Sequence, residues 1–98
     1  EPSISGISDM KRIVDTAHKF KVKTAVCVNK YDTNIKNTEI IETYCEDTNL
    51  SFVGRIPFDK EVIKAVNNRQ SIVDTNCAAS FALKTIYENV MTLLFGED

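Results

Sequence analysis

The sequence has no paired cysteines, no glycine-rich loop, no long apolar run and no excess of basic charge, and each absence closes off a class of protein. Cys27, Cys45 and Cys77 are widely spaced, with no C-x-x-C among them. A disulfide framework wants an even count and a zinc site wants close ligand pairs, so the three read as buried or half-buried thiols in a reducing compartment. His18 is the one histidine; near a helix end it complements the C-terminal dipole, with no serine or cysteine spaced for a relay. Gly6, Gly54 and Gly96 lie too far apart to form a loop that cradles phosphates, and no G-x-x-x-x-G-K-[ST] occurs. Apolar stretches fall far short of the roughly 20 residues needed to cross a bilayer, and no signal-peptide pattern opens the chain. Formal charge is -2 with acids and bases intermixed, which argues against a nucleic-acid footprint and a polybasic membrane anchor. The cytoplasm is the expected compartment, with neither nucleic acid nor membrane as a partner.

What is present is 43% hydrophobic residues in a chain of 98, enough for a modest core and one domain at most over 1–98. Ile4, Ile7, Met10, Ile13, Val14, Ala17 and Phe20 recur at spacings of three and four. They predict a helix from about Ile7 to Phe20, capped by Ser3 or Ser5. The period then changes: Lys21 to Asn29, with Val22 and the continuous set Ala25 to Val28, predict a strand covered on both faces. Thr33 to Asn37 reads as a polar loop before a helix from Thr38 to Asp47, built on Ile40, Ile41, Tyr44 and Cys45. Leu50, Phe52, Val53 and Ile56 predict a second strand. Pro57 stops it for want of a backbone donor, and Asp59 can cap a helix whose apolar side is Val62, Ile63 and Val66. Ser71 to Val73 reads as a short extended piece. The last helix starts near Asn76, carries Phe81, Leu83, Ile86, Tyr87, Val90, Leu93 and Leu94, and ends at Gly96.

The order α-β-α-β-α-α predicts an α/β fold with a Rossmann-like parallel sheet. A right-handed crossover between the strands puts the C-terminal ends at Asn29 and Ile56 on one sheet edge, so the loops Lys30 to Asp32 and Pro57 to Asp59 should lie close together. Two strands are too few for an independently stable sheet, and the chain opens at Glu1 without an initiator methionine. The expectation is a piece of a longer domain whose other strands lie upstream; in the isolated chain the open edge would be covered by a helix, by a second copy in a homodimer or by the chain's own rearrangement.

The run Val26-Cys27-Val28-Asn29-Lys30-Tyr31-Asp32 carries the candidate chemistry. An apolar strand delivers an amide, an ammonium and a carboxylate to the loop where open parallel sheets bind nucleotides. The asparagine amide has both a donor and an acceptor and can face a purine edge bidentately.

These residues resemble the C-terminal half of the MinD and ParA type P-loop ATPases. The resemblance is strongest to nucleotide-binding ATPases with an inserted ferredoxin-like iron-sulfur domain, allied by name to cobyrinic acid a,c-diamide synthase. It rests on Glu1-Pro2-Ser3-Ile4-Ser5-Gly6, Asp9-Met10-Lys11-Arg12, Val28-Asn29-Lys30-Tyr31-Asp32 and Gly54-Arg55-Ile56-Pro57-Phe58-Asp59 with Val62 and Ala65, in the family's order over nearly the whole chain. It implies a P-loop NTPase fold lacking its P-loop half. The parent would bind ATP and Mg and hydrolyse ATP, with an iron-sulfur cluster in an inserted domain absent here. The fragment alone would not turn ATP over, because the phosphate grip, lysine and magnesium ligands supply nearly every catalytic term. Asn29 then corresponds to the purine reader, and Pro57, Phe58 and Asp59 to the loop against base and ribose; Lys30 and Asp32 complete the cofactor-binding set. Glu1 and Pro2 correspond to the end of the preceding strand, near the phosphates.

Asn29-Lys30-Tyr31-Asp32 also fits the N-K-x-D guanine signature of GTPases. The matching second loop of that family is replaced here by Arg55-Ile56-Pro57-Phe58-Asp59, so adenine is favoured and a GTPase fragment is the weaker alternative. A non-enzymatic dimerisation or docking module is the rival of a different class. Other polar residues read more simply: Asp32 as an acceptor within its own loop, Asp59 as a helix cap, Arg55 as an edge charge, and Tyr44 and Glu42 as core-boundary and solvent residues. The pairs Glu46 and Asp47, and Glu97 and Asp98, look solvated.

Overall fold

The computed structural model of the chain describes residues 1–71 and 76–96. The extended piece expected at Ser71 to Val73 lies, apart from Ser71, outside the described residues, as do Glu97 and Asp98. The fold is α/β: α1 (Ile4–Lys19), β1 (Ala25–Asn29), a 3-10 turn (Tyr31–Thr33), α2 (Ile35–Asp47), β2 (Ser51–Ile56), α3 (Lys60–Asn67) and α4 (Ala78–Phe95). The two strands pair in parallel, as their separation by a helix requires.

Caps set most of the boundaries, and they move several of the expected ones. The Ser3 hydroxyl accepts from Gly6 N at 3.0 Å, so α1 starts at Ile4 and not at Ile7. At its other end Val22 N donates to Ala17 O at 2.9 Å and Lys21 N to His18 O at 3.1 Å, with Lys21 at φ 57. This is a Schellman closure. It turns the chain away from extended geometry, so β1 begins at Ala25 and not at Lys21. The same closure ends α2 through Asn49 (φ 58) and α3 through Arg69 (φ 56). Asn34 starts α2 early, its side chain accepting from Asn37 N at 3.0 Å, within the segment Thr33 to Asn37 that reads as loop in sequence.

One side of the sheet carries the core. Val26, Val28, Ile41 and Cys45 are buried together, with Ile7, Met10, Tyr31, Leu50 and Phe52 packed against them. Thr38, also buried, places its hydroxyl 2.8 Å from Tyr31 O and 3.1 Å from Asn34 O, which ties the turn after β1 to α2 without leaving a polar group unpaired. On β2, α4 packs alongside Gly54, and the Asn89 amide donates to Val53 O at 2.7 Å. Gly54 has φ 149, and a Cβ there would come within 2.7 Å of Ile86 Cγ1. Pairing slips by one residue at this point: Val26 faces Phe52 but Cys27 faces Gly54, the signature of a bulge.

β1 is not covered on both faces. Val26 and Val28 are buried while Ala25, Cys27 and Asn29 are exposed, because α4 lies against β2 and leaves the outer part of β1 open. Cys27 is therefore exposed, contrary to the expectation that all three thiols are covered, whereas Cys45 and Cys77 are buried. Burial pushes the Cys45 thiol above its ordinary pKa, which keeps it inert. The apolar stripe of α1 is covered only in part: Val14 is 2% exposed, but Ile13 is 67% and Phe20 76% exposed. Among the described residues, no helix is long and apolar enough to cross a membrane.

Candidate functional site

Both strands end at one cavity. Asn29, the last residue of β1, stands opposite Ile56, the last of β2, so Lys30 and Pro57 leave the sheet side by side. Five of the six residues singled out in sequence, Asn29, Lys30, Pro57, Phe58 and Asp59, line a cavity of about 190 Å³. Ile56, Val62 and Ile63 complete its wall. These three were legible as apolar positions of the second strand and the third helix, but nothing local marked them as cavity wall. Among the described residues the Asn29 amide has no hydrogen-bond partner within the chain, which leaves its donor and acceptor open to a ligand.

Lys30 turns the chain. It has φ 55 and caps the 3-10 turn, and its carbonyl accepts from Thr33 N at 3.1 Å and Thr33 Oγ1 at 2.7 Å. Its ammonium sits 3.4 Å from the Glu1 carboxylate. Both side chains are half exposed, so the pair contributes about 0–1 kcal/mol and yields readily to another anion.

Asp32 is not among the cavity-lining residues. Its Oδ1 accepts from Phe58 N at 2.8 Å, so it bonds across to the second loop and not within its own. Asp59 does cap α3, with Oδ1 accepting from Glu61 N at 2.9 Å. Its other oxygen accepts from Ala79 N at 3.1 Å, in the first turn of α4, and the Cys77 thiol adds a further bond. One carboxylate thus serves two helix N-termini, where negative charge is favoured. These donors, the Glu61 amide foremost, hold its pKa below the ordinary aspartate value.

Arg55 behaves as an edge charge. Its guanidinium makes a two-pronged pair with Glu42 at 2.7 and 2.9 Å and lies 5.2 Å from the Tyr31 ring centroid. Sequence reading assigned Glu42 to solvent; its partner stands 13 residues away, and no local pattern announces such a pair. His18 is exposed in the last turn of α1.

Among the described residues, no group of three or more histidines, cysteines or carboxylates could hold a metal ion. The cysteines sit on β1, on α2 and at the start of α4, apart from one another. Among the described residues the three thiols therefore do not make up the four-cysteine set of an iron-sulfur cluster.

No protein-family model and no solved structure matches the chain. The chain is similar to an uncharacterized protein of Methanocaldococcus jannaschii, with 28% identity over 90 residues that make up 92% of this chain. It spans only 29% of that relative's length.

Proposed function

We propose that this chain supplies the purine side of a nucleotide site, as the C-terminal part of a P-loop ATPase domain of the MinD and ParA type. The observation that carries the reading is the convergence of Asn29 with Pro57, Phe58 and Asp59 on one cavity at the ends of two parallel strands, the place where open α/β sheets hold their ligands. An unengaged amide beside apolar and aromatic walls is the chemistry a planar base needs. At about 190 Å³ the cavity falls below the roughly 300–1,000 Å³ of sites that enclose a drug-sized ligand. It suits a ring with sugar and phosphates lying outside, and the phosphate and magnesium grip would come from another part of the parent protein. The iron-sulfur domain of the resemblance would likewise belong to that parent.

Thermal unfolding with and without ATP tests this. ATP should raise the Tm, since a ligand that binds only the folded state stabilises it, and Asn29→Ala should remove the shift. The chain alone should show no ATP turnover. No shift with any nucleotide refutes the reading, and so does turnover that Asn29→Ala abolishes.

A second reading is a non-enzymatic module that docks or dimerises through the open sheet edge. The exposed face of β1, with Ala25 and Cys27, and the uncovered Ile13 and Phe20 favour it. A tight dimer by light scattering, together with a Tm indifferent to nucleotide, would select it.

A further inference from the structure

Asp32 stands at the position of the N-K-x-D run where a carboxylate would read guanine, yet it lies outside the cavity wall and its Oδ1 is taken by Phe58 N at 2.8 Å. A carboxylate that reads guanine must accept from the ring N–H and the exocyclic amine together, which needs both oxygens turned to the base. Here such a turn would break the bond to Phe58 and leave that amide without its acceptor. The same bond holds the backbone of Phe58, which lines the cavity together with Pro57 and Asp59.

We infer that Asp32 is a positioning residue: it tethers the second loop over the cavity through Phe58 N, and by that commitment it leaves the site suited to adenine and poorly suited to guanine. The ligand half of the inference rests on the purine reading above. The tether rests on the Asp32 to Phe58 geometry alone.

The test is two-dimensional NMR of the 98-residue chain, titrated with adenosine 5′-monophosphate and guanosine 5′-monophosphate, for the native protein, Asp32→Asn and Asp32→Ala. The native protein should bind the adenine nucleotide more tightly. Asp32→Asn keeps a carbonyl acceptor for Phe58 N, so adenine affinity should stay within about threefold and the adenine-to-guanine ratio should not change. Asp32→Ala should weaken adenine binding by about tenfold, as expected for a lost charge-assisted bond, and shift the Phe58 amide resonance.

Guanine bound as tightly as adenine, with Asp32→Asn selectively destroying the guanine binding, would overturn the inference, because the carboxylate would then be reading the base. An Asp32→Ala protein with unchanged Phe58 resonance and adenine affinity would overturn it as well. If neither nucleotide moves a cavity resonance while Asp32→Ala still shifts the Phe58 amide, the purine reading and the base preference fall together and a loop tether alone remains. A failed tether and a failed ligand assignment thus leave different spectra.

Discussion

The Asp59 carboxylate accepts a hydrogen bond from Ala79 N, 20 residues further along the chain, at 3.1 Å. Because its other oxygen already caps α3, the start of α4 is fastened to the start of α3 at the rim of the cavity.

That double cap makes a prediction about acid. The folded pKa of Asp59 lies below its ordinary value of 3.8. Its contribution to stability is therefore present above that value and is lost as pH falls through the folded pKa, where the carboxyl takes up a proton in both states. Urea unfolding of the native protein and Asp59→Asn at about pH 7 and about pH 2.5 measures this. The native protein should be the more stable at neutral pH, and its advantage should shrink on acidification. An equal gap at both pH values would sink the assignment.

Gly54 makes a second. Its φ of 149 disfavours any side chain, and an added Cβ would meet Ile86 Cγ1 at 2.7 Å. Gly54→Ala should cost about 1–3 kcal/mol from overcrowding, with the backbone term added to it. Measured against Ile86→Ala alone, which removes Cγ1, adding Gly54→Ala should cost only the backbone part, because the crowding is gone. A Gly54→Ala protein as stable as the native one in thermal unfolding would show that α4 does not press on β2 as described.

Lys21 makes a third. It holds a left-handed conformation, φ 57, at the end of α1, which costs an L-residue roughly 1–2 kcal/mol and a glycine almost nothing. Part of the gain from glycine is offset by its extra freedom when unfolded, so Lys21→Gly should stabilise by about 0.5–1 kcal/mol. Asn49, in the same role at φ 58, tolerates that region better, and Asn49→Gly should change little. Matching Tm shifts for the two variants would count against this account.

The local grammar of the chain was readable from sequence. Pro57 does follow β2, Asp59 does cap α3, Ser3 does cap α1, and both strands do end at a shared edge beside Asn29. These depend on neighbours within a few residues or on the parallel-strand rule. What stayed hidden depends on partners distant in sequence. Ile13 and Val14 are adjacent and equally apolar, yet one is 67% and the other 2% exposed, because periodicity identifies a stripe and not what lies over it. The bonds from Asp32 to Phe58 and from Arg55 to Glu42 span 26 and 13 residues and leave no imprint on local spacing.

The slipped pairing beside Gly54 also decides what stands opposite Asn29. Counting on from Val26 and Phe52 without an extra residue would pair Asn29 with Arg55; with the slip, Asn29 meets Ile56. Side chains alternate between sheet faces, so a single inserted residue exchanges them. It sends the guanidinium to the side of α2, where Glu42 receives it, and gives the cavity floor an aliphatic group in its place. Deleting one residue from this stretch would put a permanent cation beside the amide.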